Sequence, residues 1–234
     1  MKDKVAYITG GTKGIGFGIA QVLLKHGIKV AVSGRKQEDA EEAARILSDD
    51  DTKVFGIASD VKNFEDQKTA VSEIVKKFGR LDYVIANAGL GIFKPVDELS
   101  LEEWNDMIDT NLNGVFHTMK ASIDELKKSE GYFISIASLA GTNFFEKGSG
   151  YNASKFGVVG FTQAAMIDLR KYNIKVSTIM PGSVSTYFNG NEPSDEDSWK
   201  IQPEDLGELV VDIFKMNPRA LPSKIEIRPS KPTS

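Results

Sequence analysis

Cysteine is absent from all 234 residues, so disulfides, thiol nucleophiles and thiolate metal sites are excluded. Histidine is nearly absent as well. His26 and His117 stand far apart in the sequence, and no metal site is expected. Charge of neither sign dominates: 29 basic and 33 acidic residues leave a net charge of −4. That balance offers no broad basic field to nucleic acid or to an anionic membrane surface, so neither partner is expected. Long apolar runs are missing, which argues against a spanning helix. Met1-Lys2-Asp3-Lys4 does not read as the start of a secretory signal, and the cytoplasm is the expected compartment. What remains is the composition of an ordinary globular domain, 41% hydrophobic and 26% charged, in a chain long enough to bury one large core.

Short β-branched runs alternate with helix-period segments along the chain. Strands are expected at 5–9, 30–32, 54–58, 83–86, 132–137, 176–180 and 224–227. Helices are expected at 14–26, 37–47, 64–78, 100–126, 151–172 and from Pro203 onward, with Ser100 to Glu103 as a capping box. Strict alternation implies crossover connections. The predicted fold is a Rossmann-type, doubly wound α/β domain over residues 1–234, with a parallel sheet of about seven strands and helices on both faces. The Asn/Gly/Pro/Ser-rich stretch 189–198 is expected to be a mobile flap, and 229–234 a frayed tail.

Two segments point to a nucleotide. Thr9-Gly10-Gly11-Thr12-Lys13-Gly14-Ile15-Gly16 joins the first strand to the first helix. Its glycines permit a tight turn and close approach of a pyrophosphate to the free N–H groups of the helix start. The second strand ends Val32-Ser33-Gly34-Arg35, where NAD-preferring folds place a ribose-binding carboxylate. Gly34 stands there instead, and Arg35 after it, with Lys13 nearby, favours the 2′-phosphate of NADP(H) over the alternative of a solvated Arg35 with Glu38 on the ribose. Glu38 and Asp39 are read as helix-start charges.

A third segment points to acid–base chemistry. Tyr151-Asn152-Ala153-Ser154-Lys155 puts a phenol and an ammonium on one helix face. The cation is expected to draw the phenol pKa down from ~10 toward neutrality. Ser138, at the end of the fifth strand, can return to the same place and hold a substrate oxygen.

Together these residues resemble the short-chain dehydrogenase/reductase family, in its single-domain branch. The matching signs are the 9–16 turn, Asp60-Val61, Asn87-Ala88-Gly89, Asn111, Ser138, Tyr151, Lys155 and Pro181-Gly182-Ser183-Val184-Ser185-Thr186, in family order. The resemblance implies that Tyr151 is the acid/base, that Ser138 orients the substrate oxygen, and that Lys155 binds the nicotinamide ribose and biases the tyrosine. It implies that Asn111 helps hold Lys155 through a water-linked proton path, with Asn113 as its competitor for that place. Asp60 and Val61 would flank the adenine, Asn87 to Gly89 would line the crevice, and Pro181, Gly182, Val184 and Thr186 would meet the carboxamide and pyrophosphate end. The activity implied is interconversion of a carbonyl and an alcohol, in a homodimer or homotetramer.

Ile92, Phe145, Tyr187 and Phe188 are the expected substrate walls and favour a small apolar ketone, aldehyde or alcohol. Phe93 and Phe144 read as core, and His117 as a helix-surface or oligomer-contact residue. Two other readings are a 3-oxoacyl-thioester reductase, which calls for a basic docking patch, and a non-catalytic NADP(H)-sensing module, which calls for loss of the tyrosine or lysine.

Overall fold

Seven parallel strands form one sheet in the order β3-β2-β1-β4-β5-β6-β7 in a computed structural model, which describes residues 1–231. They are β1 Val5–Thr9, β2 Lys29–Gly34, β3 Val54–Ala58, β4 Tyr83–Ala86, β5 Tyr132–Ile136, β6 Lys175–Pro181 and β7 Lys224–Ile227. Each inner strand is buried on both sides. In β1, Val5 and Tyr7 enter one apolar layer while Ala6 and Ile8 enter the other. The period-two geometry of a strand sends neighbours to opposite faces, so a strand covered on both faces reads as a continuous apolar run.

The helices are α1 Gly14–Lys25, α2 Gln37–Leu47, α3 Phe64–Phe78, α4 Leu101–Ile108, α5 Gly114–Ser129, α6 Ser149–Leu169 and α7 Pro203–Lys215. α3, α5 and α6 supply the layer beneath Tyr7, and α1, α2 and α7 supply the layer beneath Ile8. Ser100 closes the expected capping box with Glu103, accepting from its backbone N–H at 3.1 Å.

The structure departs from the expected 100–126 helix. That helix is broken by a π-type turn over Asp109–Asn113, where the Gly114 N–H donates to the Asp109 carbonyl. Such a turn inserts a residue and redirects the side chains around it. The 189–198 segment forms two short 3₁₀ turns. Its base is pinned where Ser185 donates its N–H to the Ile201 carbonyl at 2.9 Å and Ile201 donates to that of Ser183 at 3.1 Å. Of the expected frayed tail, 232–234 lie outside the described residues. Among the described residues, no helix is long and apolar enough to cross a membrane, and no cluster of His, Asp and Glu can hold a metal ion.

Candidate active site

The strand order reverses between β1 and β4. In open parallel sheets ligands bind beyond the carboxyl ends of the strands at that point. The loops that leave there carry the singled-out residues: Gly10 to Gly16 after β1, Arg35 after β2, Asp60 and Val61 after β3, Asn87 to Gly89 after β4, Ser138 after β5, and Gly182 to Thr186 after β6.

The glycine turn is shaped to bring backbone close to a neighbour. Gly10 and Gly14 have φ of +63° and +57°, a region that side chains disfavour. A Cβ on Gly10 would stand 2.9 Å from the Ala88 Cα. Asn87 holds the turn: its amide donates to the carbonyls of Thr9 (2.9 Å) and Gly10 (3.0 Å). Thr9 answers by accepting the N–H groups of Asn87 and Ala88, each at 3.1 Å. Helix α1 starts at Lys13 without a side-chain cap and with no acid in its first turn, whereas α2, α3, α4 and α7 all begin with acidic residues. Its free N–H groups and positive dipole end suit an anion. Ile15 and Gly16 lie in this first turn, and Thr186 stands over Gly14, 3.5 Å from where a Cβ would be. Val184 pairs with Ile201, and Gly182 ties β6 to β7 through the Ile227 carbonyl at 2.8 Å, directly after Pro181.

At the end of β2, Arg35 is exposed, and among the described residues no carboxylate pairs with it. Glu38 and Asp39 occupy the first turn of α2, as helix-start charges should. The Lys13 amine lies 5.9 Å over the Tyr187 ring, so Tyr187 stands on the α1 side and not against Tyr151, a different place from that expected. Asp60 accepts from the Lys62 N–H at 2.9 Å, and Val61 packs on Gly114. The Val61 carbonyl can only accept, so the His117 Nδ1, 2.9 Å away, must carry a proton and donate it. His117 is therefore tied to this loop and is not a free surface residue.

Tyr151 and Lys155 occupy successive turns of α6, both almost fully buried. The Lys155 ammonium lies 5.7 Å from the centre of the Tyr151 ring and donates to the Ile136 carbonyl at 3.1 Å. Asn111, in the π-type turn, accepts the Leu90 N–H (2.8 Å) and donates to the Leu90 carbonyl (2.8 Å) and the Ser154 hydroxyl (2.9 Å). Ser154 in turn donates to the Tyr151 carbonyl at 2.8 Å. A Cβ on Gly89 would fall 3.2 Å from Asn111 Oδ1 and 3.6 Å from Lys155 Nζ, so these three positions adjoin. Asn113 bonds Asp109 on the surface and takes no part. Asn152 clamps the loop that carries Ser138, donating at 2.7 Å to both the Ala140 and the Asn143 carbonyl.

Burial decides the electrostatics. It pushes the Tyr151 phenol up to about 12, with the neighbouring Ser138 hydroxyl drawing it partly back, and pushes the Lys155 amine down to about 8. The expected lowering of the tyrosine toward neutrality is therefore overturned in the protein alone. Desolvation of the phenolate dominates, and the Lys155 ammonium, bonded to the Ile136 carbonyl, does not offset it.

Three phenyl rings from three loops close over Tyr151. Phe93 meets it nearly edge-on at 5.4 Å, Phe188 lies at 5.8 Å, and Phe145 reaches Phe93 at 5.6 Å. Leu90 and Ile92 pack into the same cluster. Phe93, expected in the core, is thus a wall residue. Phe144 belongs to neither: it is exposed and stacks on Phe156.

Comparison with known proteins agrees with this arrangement. An uncharacterized oxidoreductase of Staphylococcus aureus (strain MW2) is 34% identical over 231 residues, 98% of each chain. Among solved structures, an alcohol dehydrogenase from the archaeon Thermococcus sibiricus, complexed with 5-hydroxy-NADP, superposes with a TM-score of 0.91 at 31% identity, covering 99% of each chain. A 3-ketoacyl-(acyl-carrier-protein) reductase from Brucella melitensis, complexed with NADH, gives 0.87 at 26% identity and 98% coverage of each. The sequence model of the short chain dehydrogenases matches residues 4–197, and with relatives this similar along nearly its whole length the chain belongs to that family of oxidoreductases.

Proposed function

We propose that this oxidoreductase is an NADP(H)-dependent reductase of small apolar ketones and aldehydes, with Tyr151 as proton donor. The observation that carries the reading is the convergence of Ser138, Tyr151 and Lys155 at the carboxyl edge of the sheet, beside a glycine turn shaped for a pyrophosphate. The glycine turn, the uncapped start of α1 and Arg35 would hold the nucleotide, and NADPH, when bound, supplies a hydride.

The protein's own groups do the rest. Ser138 holds the carbonyl oxygen. Tyr151, with its pKa near 12, is a phenol throughout the neutral range and so is charged with the proton that the forming alkoxide needs. The tyrosinate left behind lies beside the Lys155 ammonium. That amine, with a pKa near 8, can pass a proton on and recover it at neutral pH. Asn111 keeps the α6 turn and the Leu90 backbone in register, through bonds to both.

Arg35, exposed and free of a carboxylate partner among the described residues, supports NADP(H) over NAD(H). Arg35→Asp is expected to shift the ratio of NADPH to NADH affinity toward NADH by roughly tenfold or more. An unchanged ratio removes Arg35 from the account. The rings of Phe93, Phe145 and Phe188 support a compact apolar substrate over a carrier-bound thioester. Phe93→Ala is expected to lower kcat/KM for compact ketones about tenfold and to raise it for bulky ones. Equal changes for both would take Phe93 out of substrate selection. The retention of both Tyr151 and Lys155 weighs against a purely sensing role. A reduced NADP pool suits a cytoplasmic setting. Exposed Trp104, Phe116, Phe156 and Ile167 on α4 to α6 support a homo-oligomer, which sedimentation can count.

A panel of ketones and aldehydes with NADPH, followed by nicotinamide absorbance, tests the reading. Turnover is the expected result. NADPH binding without turnover on any member would favour the sensing module.

A further inference from the structure

One group of buried polar side chains has no part in the chemistry above. Tyr7 and Gln67 are wholly buried, and Ser33, Ser59 and Thr118 nearly so. The Tyr7 hydroxyl donates to Gln67 Oε1 at 3.3 Å and lies 3.1 Å from the Ser33 hydroxyl. The Gln67 amide donates to the Ser59 hydroxyl at 2.6 Å, and the single Thr118 hydroxyl proton is shared between the Gly114 carbonyl at 2.7 Å and Gln67 Oε1 at 3.0 Å. One glutamine on α3 thus joins β1, the end of β3 and α5, and through Tyr7 the end of β2.

Apolar side chains of similar volume would fill this space without any desolvation cost, so stability alone does not explain the network. A satisfied buried network does fix one geometry among several of similar packing. The geometry fixed here is that of three loops. Ser33 precedes Gly34 and Arg35, and its carbonyl accepts the Gly11 N–H of the glycine turn at 3.0 Å. Ser59 precedes Asp60 and Val61 and donates its N–H to the Gly34 carbonyl at 2.8 Å. The loop after β3 is also held from outside, by Asp66 on the Asp60 N–H (3.1 Å) and by His117 on the Val61 carbonyl.

We propose that Gln67, acting with Tyr7, is a positioning residue for the adenosine 2′-phosphate half of the nucleotide, locking the ends of β2 and β3 so that Arg35 and the Asp60–Val61 loop close on one ligand. The inference rests on the NADP(H) reading. Neither residue touches the ligand; each acts through Ser33 or Ser59. The nicotinamide end of the site, built on β4, β5 and α6, lies outside the network.

Gln67→Leu and the milder Tyr7→Phe test this by calorimetric titration with NADPH and with 2′,5′-ADP, alongside amide hydrogen exchange and thermal melting. The expected result is about a tenfold weaker affinity for both ligands, the scale of one or two lost buried hydrogen bonds. Faster exchange should be confined to residues 33–36 and 59–63. Unchanged affinities, in either variant that folds, overturn the inference, as does exchange that quickens evenly over the whole sheet with a lower Tm and no loss of affinity. Should Gln67→Leu fail to fold, Tyr7→Phe alone decides, because it removes a single oxygen and keeps the ring. Failure of the unsubstituted protein to bind either ligand overturns the NADP(H) reading and this inference together, whereas normal binding by both protein and variants overturns this inference alone.

Discussion

Tyr151→Phe is expected to lower carbonyl reduction by about 10²–10⁴-fold, the usual loss when a positioned general acid is removed. The substitution keeps the ring that Phe93 and Phe188 pack against, so the walls should stay in place. Stability should not fall, since a phenol buried against its solvation preference is exchanged for an apolar ring of the same shape. Affinity for NADPH should fall by no more than about tenfold, because one neutral hydrogen bond at most is lost. Kinetic and binding titrations on the purified variant separate these outcomes. A variant that keeps its turnover would remove Tyr151 from the chemistry. One that loses turnover and folding together would show a structural role instead.

Lys155→Met is expected to abolish turnover while making the protein harder to melt. The amine is buried, and its pKa falls from 10.5 to about 8 for that reason alone. A group whose folded pKa is depressed binds fewer protons folded than unfolded between those two values. Its stability contribution is therefore complete above pH 10.5 and lost as pH falls to about 8. At pH 7 the folded state bears that cost in full. Methionine removes the charge at similar length. It leaves the Ile136 carbonyl without the lysine donor, which offsets part of the gain. The net gain is about 2 kcal/mol, or roughly 4–8 °C in Tm for a chain of this size. Calorimetry from pH 7 to 10.5 should show the difference between variant and parent shrinking as pH rises. A variant less stable than the parent at pH 7 would mean that the ammonium is well solvated or paired. Tyr151 runs the opposite way: burial disfavours its phenolate, so its effect on the fold is flat below pH 10 and turns destabilising as pH climbs toward 12. Reduction itself should hold steady below about pH 7 and decline through pH 8 as Lys155 loses its proton.

The sheet was legible in the sequence because strands covered on both faces must be apolar at every position, as in Val5 to Ile8. The glycine turn and the Tyr151/Lys155 pair were legible because each depends on short-range spacing. Three features were hidden for the opposite reason. The π-type turn at Asp109–Asn113 brings buried Asn111 to Leu90 and Ser154, partners distant in sequence, and an Asn-Leu-Asn-Gly run inside a helical pattern is the only local trace of it. Phe93 looked like core because the rings it meets come from two other loops. The direction of the Tyr151 shift was misjudged because spacing reveals the cation, whereas desolvation depends on how deeply α6 is packed. Tyr7, Ser33, Ser59 and Gln67 left no mark at all, since single polar residues in strands and helices are ordinary until the fold brings them together.

NADPH carrying deuterium at both C4 positions, offered with a panel of ketones and aldehydes, tests most directly that Tyr151 serves hydride transfer to a carbonyl. Mass analysis of the product is expected to find one deuterium on the former carbonyl carbon, and only background from Tyr151→Phe. Tight binding of the nucleotide with no labelled alcohol from any carbonyl, or equal label from protein and variant, would contradict it.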